Sequence, residues 1–115
     1  MSGPRGGSGH FIAMRATSAA LALLSLWFVI AAALSMPDTG YGSAIAFQAQ
    51  PLNAVLALVL VVVSLYHMSL GMADIIADYI HKPSTKAVLD TLNTLVPLAL
   101  GALAIYAVWR LNFGA

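Results

Sequence analysis

Residues 51–80, PLNAVLALVLVVVSLYHMSLGMADIIADYI, predict a long helix that is apolar in its first half and carries ionisable groups in its second. Pro51 suits the first turn of a helix, where its missing N–H would be unpaired in any case. These residues would extend about 45 Å at 1.5 Å per residue, which exceeds the roughly 30 Å hydrocarbon core of a bilayer. We therefore expect a membrane-spanning helix that is tilted or projects beyond the bilayer.

The whole chain is too apolar for a water-soluble domain of its size. Its 115 residues are 61% hydrophobic and 8% charged, and the mean hydropathy is +0.91. We expect an all-α membrane protein with a single domain over residues 1–115 and a flexible, Gly-rich arm at 1–10. The three predicted transmembrane helices cover residues 11–36, 47–80 and 84–111. We expect the first helix to be retained, because its apolar run is longer than that of a typical signal peptide.

Composition excludes several classes of function. The sequence contains no cysteine, which excludes cysteine-ligated iron–sulfur clusters, thiol catalysis and cysteine zinc sites within it. The net charge is +1, and no run of Lys and Arg is long enough to follow a phosphate backbone. We therefore expect no nucleic-acid partner.

The basic residues predict an orientation in the membrane. Arg5, Arg15, Lys82 and Lys86 fall on one side of the predicted spans, and Arg110 falls on the other. Short cytoplasmic segments carry an excess of Lys and Arg. The distribution predicts a cytoplasmic N-terminus and a periplasmic C-terminus.

A polar stripe runs along the second predicted helix. At about 100° per residue, His67, Gly71, Asp74 and Asp78 fall within about 60° of each other. Ionisable residues in a membrane helix are costly and usually face a bundle interior, a cofactor or a proton path. Gly71 removes side-chain bulk one turn from His67, which suits a flat macrocycle such as haem. On spacing alone, a hydrogen bond from His67 to a neighbouring helix remains the other interpretation.

Two motifs carry a resemblance to a known family. The pattern His67-x3-Gly71-x6-Asp78-Tyr79 follows the segment HFIAMRAT at residues 10–17, in a chain of this length with three predicted helices. This combination resembles the small hydrophobic membrane anchor, also called the small cytochrome b subunit, of bacterial succinate dehydrogenase, respiratory complex II. The resemblance implies an inner-membrane anchor that takes part in electron transfer from succinate to ubiquinone, in the respiratory chain and the tricarboxylic acid cycle. Such an anchor has no activity alone.

The resemblance also implies residue roles. His67 would be an axial ligand of a haem b iron, Gly71 would pack against the haem, and Arg15 would contact a haem propionate. Tyr79 and Asp78 would bind ubiquinone, and no residue of the chain would be catalytic. His67 and Tyr79 are about 18 Å apart on a helix, so the haem ligand would lie near mid-membrane and the quinone near the cytoplasmic surface.

The resemblance further implies partner subunits. His10 and His81 are expected outside the spans, so the second haem ligand would come from a second membrane-anchor subunit. A flavoprotein subunit and an iron–sulfur subunit would oxidise succinate on the cytoplasmic face. The resemblance assigns no role to His10, His81 or Asp74.

Two alternative functions stay open. One is a haem-free anchor of the fumarate reductase type, and the other is a small proton-coupled transporter that uses Asp74 and Asp78.

Overall fold

The computed structural model describes residues 8–114, which form an all-helical chain. The helices are α1 (Ser8–Ser35), α2 (Tyr41–Gln48), α3 (Pro51–Tyr79) and α4 (Pro83–Phe113). Helices α1, α3 and α4 are each long and apolar enough to cross a membrane. The expected all-α fold with three candidate spans is therefore confirmed. Residues 1–7 of the predicted arm lie outside the described residues, whereas residues 8–10 are helical and belong to α1.

The short helix α2 was not predicted, and it changes where the next helix begins. Residues 47–48, expected at the start of the second span, belong to α2, and α3 begins at Pro51. Gln50 is extended, with φ −74° and ψ 127°. The ring of a proline disfavours the helical conformation for the preceding residue, so Pro51 separates the two helices.

Helix α2 is fixed to the bundle by one aromatic ring and two side-chain amides. Phe47 is buried, and its ring centroid lies 6.3 Å from that of Trp27 and 5.8 Å from that of Phe28, both on α1. Asn53 of α3 donates to the Phe47 carbonyl at 3.1 Å, and Asn112 of α4 donates to a further carbonyl of α2 at 3.2 Å. These bonds satisfy carbonyls that the end of a helix leaves unpaired.

Helix α3 is the central element, because it packs against both α1 and α4. Its buried residues are Ala54, Ala57 and Ile76. Small side chains allow close helix approach in membranes, where packing rather than water drives association. Most large apolar side chains remain exposed, and Leu34 is 84% exposed. Such a surface suits contact with lipid or with other membrane subunits.

Candidate functional site

His67 lies on α3 and faces α1. Its side chain is half-buried, and its Nδ1 lies 2.6 Å from Oγ1 of Thr17. Within residues 8–114, no group forms a hydrogen bond with Nε2 of His67. One ring nitrogen is therefore engaged inside the chain, and the other is available to a ligand. Thr17 lies in the segment that carries the family resemblance, but sequence reasoning gave it no role.

Asp74 is paired with His10. Nε2 of His10 lies 3.0 Å from Oδ1 and 3.1 Å from Oδ2 of the carboxylate. The His10 side chain is 16% exposed and that of Asp74 is 45% exposed. His10 was expected in the arm before the first helix; instead it lies in the first turn of α1. The helix begins three residues earlier than the expected start at residue 11, because it extends beyond the apolar run.

The contacts Thr17–His67 and His10–Asp74 join the same face of α1 to the same face of α3. His10 and Thr17 are seven residues apart on α1, and His67 and Asp74 are seven residues apart on α3. Seven residues make about two helical turns, so both members of each pair lie on one face. The polar stripe of α3 is therefore turned in part toward α1 rather than only toward other subunits.

Gly71 lies one turn beyond His67 and leaves open space. Apart from the backbone of its own helix and its two chain neighbours, a Cβ atom built at Gly71 would meet no atom of the described chain within 4 Å. By contrast, a Cβ atom at Gly101 of α4 would lie 3.7 Å from Leu65, where α3 and α4 approach closely. Close packing within this chain therefore does not account for the glycine at position 71.

Arg15 is exposed near the N-terminal end of α1. Its guanidinium carbon lies 5.5 Å from the centroid of the Phe11 ring, one turn earlier. No carboxylate among residues 8–114 lies within ion-pair distance of Arg15. A cation stacked on an aromatic ring keeps its charge available for an anionic ligand.

Asp78 and Tyr79 form the exposed end of α3. Tyr79 is the last helical residue and is 75% exposed, and Asp78 is exposed beside it. Neither side chain makes a hydrogen bond to the described part of the chain. The two residues lie about 18 Å along the helix from His67, as its rise requires, so the site residues divide into a mid-helix group and an end group.

A cavity of about 660 Å³ opens between α3 and α4. Its polar lining comes from Tyr66, Ser69, Asn93 and Thr94, and none of the predicted site residues lines it. Pro97 has no N–H to give to the Asn93 carbonyl, and the Asn93 side chain donates to the Ser69 carbonyl at 2.9 Å.

Among the described residues, no group of three or more His, Cys, Asp or Glu could hold a metal ion. His67 is thus a single donor rather than part of a chelating cluster.

Comparison with known proteins gives consistent matches. The model of the family "Succinate dehydrogenase/Fumarate reductase transmembrane subunit" matches residues 1–108. A succinate dehydrogenase hydrophobic membrane anchor subunit of Rickettsia felis is 34% identical over 103 residues, which cover 87% of this chain and 85% of that protein. The corresponding protein of Rickettsia conorii is 36% identical over 77 residues, which cover 66% of this chain and 60% of that protein. No solved structure matches the chain significantly. The match covers nearly the whole chain, and the protein therefore belongs to the family of succinate dehydrogenase and fumarate reductase transmembrane subunits, as a multi-pass membrane anchor.

Proposed function

We propose that this chain is the small membrane anchor of a succinate:ubiquinone oxidoreductase in the bacterial inner membrane. In this proposal His67 ligates a haem b iron, and the ligation is completed by a histidine from a second membrane anchor. Tyr79 and Asp78 contribute to the site where ubiquinone is reduced. Family membership supports the role of anchor. The haem role is supported by Nε2 of His67, which has no hydrogen-bond partner within residues 8–114.

The observation that carries the haem proposal is that only one nitrogen of the His67 imidazole is engaged. Its Nδ1 contacts Thr17, and its Nε2 has no partner within residues 8–114. A neutral imidazole binds iron through one nitrogen, and the hydrogen bond made by the other nitrogen sets which one is free. The open space at Gly71 would admit the edge of a planar ligand beside the ring. When bound, haem b supplies a one-electron carrier within the membrane.

Arg15 provides the charge that a haem propionate requires. A carboxylate at the edge of the hydrocarbon core is costly unless a cation compensates it. The guanidinium of Arg15 is exposed and lacks a carboxylate partner within the described chain. Its donors form a planar fork that matches a carboxylate.

Tyr79 and Asp78 provide the groups that quinone reduction needs. A quinone carbonyl that becomes a hydroxyl needs a hydrogen-bond donor and a source of protons. The Tyr79 hydroxyl can donate to the carbonyl oxygen, and the Asp78 carboxyl can hold or pass on a proton. Both side chains are exposed at the end of α3, where a ligand held by partner subunits could reach them.

The partners follow from what the chain lacks. Succinate oxidation requires a flavin and iron–sulfur clusters, and the chain has no cysteine to hold a cluster. We assign these cofactors to a flavoprotein subunit and an iron–sulfur subunit on the cytoplasmic face. The second anchor would cover part of the exposed apolar surface.

We also propose a cytoplasmic N-terminus and a periplasmic C-terminus, because Arg15, Lys82 and Lys86 lie toward one end of the bundle. The chain has no native cysteine, so single cysteines can report the orientation. An impermeant maleimide should label Thr39→Cys in spheroplasts and Ser84→Cys in inverted vesicles. The reverse pattern would contradict the orientation.

The haem role is tested by the visible absorption spectrum of the purified complex. The wild-type complex should contain the flavoprotein and iron–sulfur subunits and show b-type bands. His67→Ala should lose these bands, whereas His81→Ala should keep them, because His81 is an exposed loop residue. Bands that survive His67→Ala would remove the ligand assignment.

A haem-free anchor of the fumarate reductase type is the second candidate, because the family that matches includes both kinds of subunit. A wild-type complex without b-type bands would favour it. The transporter alternative is weaker, because Asp74 is paired with His10 and does not stand free beside Asp78 on the helix.

A further inference from the structure

We infer that the hydroxyl of Thr17 is a positioning group that fixes the tautomer of His67 and tunes it as an iron ligand. The inference rests on the haem role proposed above. It assigns a function to a residue of α1 that would not touch the iron. Thr17 acts through His67, and its contribution is set by the direction of its hydrogen bonds.

The surroundings of Thr17 determine that direction. A threonine hydroxyl has one hydrogen to donate and lone pairs that accept. Oγ1 of Thr17 lies 2.7 Å from the Ala13 carbonyl oxygen and 3.2 Å from that of Met14. Carbonyl oxygens only accept, so the hydroxyl hydrogen points to the backbone of α1. Toward Nδ1 of His67, at 2.6 Å, the same oxygen is therefore an acceptor.

This direction leaves one tautomer of His67. Nδ1 carries the hydrogen and donates it to Thr17, and Nε2 keeps the lone pair that a metal needs. The Ala13 carbonyl, the Thr17 hydroxyl and the His67 N–H then form a chain of hydrogen bonds in one direction. Successive bonds in such a chain polarise one another, which makes the imidazole a stronger electron donor. A stronger donor stabilises the ferric state and lowers the reduction potential of the iron.

A second contact keeps Thr17 in register with His67. The pair of His10 and Asp74 lies two turns away in the same antiparallel register. A threonine side chain is also stiff at χ1, and its bond to Ala13 holds it on the backbone of its own helix. The acceptor is thus presented by a fixed helix rather than by a mobile loop.

The experiment compares hydroxyl-free and hydroxyl-bearing variants of the whole complex. Thr17→Val keeps the shape of the side chain but removes the acceptor, and Thr17→Ala is a second hydroxyl-free variant. Thr17→Ser restores the hydroxyl. Thr91→Val is the matched control, because exposed Thr91 on α4 makes the same kind of backbone bond, to Ala87 at 2.8 Å, without contacting His67.

The measurements are the haem potential by redox titration and the EPR g-values of the oxidised haem. Thr17→Val should shift the potential upward and change the g-values, whereas Thr17→Ser and Thr91→Val should match the wild type. Loss of a group that hydrogen-bonds a metal ligand typically weakens metal binding about 10- to 100-fold. The haem content should therefore also fall in Thr17→Val and Thr17→Ala. Loss of haem in both hydroxyl-free variants but not in Thr17→Ser and Thr91→Val would support the inference even without a potential.

The outcomes separate this inference from the proposed function. If His67→Ala loses the haem but Thr17→Val has the wild-type potential, g-values and haem content, His67 remains the ligand and the role of Thr17 is overturned. If His67→Ala keeps the haem, the ligand assignment fails and the inference fails with it.

Discussion

Nε2 of His10, in the first turn of α1, lies 3.0 Å from Oδ1 of Asp74, two turns beyond His67 on α3. The contact joins residues that are 64 positions apart, so it reports tertiary packing rather than local helix geometry. The contact between Thr17 and His67 lies two turns away, between the same faces of α1 and α3. We conclude that two polar contacts align the N-terminal half of α1 with the C-terminal half of α3.

The pair of His10 and Asp74 should stabilise the bundle measurably. Asp74→Ala removes the acceptor and leaves a His10 side chain that is only 16% exposed without its partner. Partly exposed ion pairs and hydrogen bonds each contribute on the order of 1 kcal/mol. We expect a lower thermal midpoint of the detergent-solubilised complex, measured by subunit dissociation.

Asp90→Ala is the control for this prediction. Asp90 pairs with Lys86 at 2.7 Å within one helix, and exposed pairs at this spacing contribute only about 0.3–0.5 kcal/mol. The midpoint should therefore fall less for Asp90→Ala than for Asp74→Ala. Equal midpoints for the two variants would show that the contact between α1 and α3 adds no more stability than the exposed pair of Lys86 and Asp90.

The spans could be predicted from the sequence, and the contacts between them could not. Long apolar runs identify membrane helices whatever their neighbours, although the second span was expected from residue 47 and α3 begins at Pro51. Helix α2 was missed because eight residues are too few to show a helical period. The spacing of seven between His10 and Thr17, matched by His67 and Asp74, was visible in the sequence. Which residues meet depends on the register of two packed helices, and spacing alone does not fix that register.

Gly71→Leu tests whether the space beside His67 is occupied by a group from outside this chain. No other helix of the described chain comes within 4 Å of a Cβ at this position, and leucine has a better helix propensity than glycine. The fold of the chain should therefore tolerate the change. Overpacking typically costs about 1–3 kcal/mol, which corresponds to about 5- to 150-fold weaker binding of haem.

The ratio of haem to flavin in the purified complex measures this effect. Gly42→Leu is the matched control, because a Cβ at Gly42 on α2 also meets nothing within 4 Å and lies far from the stripe. Gly42→Leu should retain the wild-type ratio. If Gly71→Leu retains it as well, Gly71 does not face the haem.

Asp38 should order the turn that precedes α2. Its Oδ1 accepts hydrogen bonds from the Gly40 amide and the Ser43 hydroxyl, both at 2.8 Å. The bond from the Gly40 amide, followed by that from Ser43, lowers the pKa of Asp38. The group stays charged at neutral pH, so the contact is fully present there and is lost only as the pH falls through the lowered pKa.

Hydrogen exchange at neutral pH checks the role of Asp38. Asp38→Ala should make the Gly40 amide exchange several-fold faster, whereas Asp38→Asn should have a smaller effect because its amide oxygen can still accept. Exchange in α4 should be unchanged in both variants. An equally protected Gly40 amide in Asp38→Ala would show that the turn does not depend on this side chain.

Tyr79→Phe should impair quinone reduction without impairing succinate oxidation. The substitution removes one oxygen from a side chain that is 75% exposed at the end of α3, so the fold should be unaffected. A hydrogen bond to a group that gains charge contributes about 1.5–3 kcal/mol, and its loss should lower kcat/KM for ubiquinone about 10- to 100-fold. Succinate oxidation with an artificial acceptor bypasses the membrane site and should stay at the wild-type rate.

Tyr41→Phe is the control, since Tyr41 is 83% exposed at the opposite end of the bundle. Wild-type quinone reductase activity in Tyr79→Phe would remove Tyr79 from the site, and equal losses in both variants would point to a general effect on the complex.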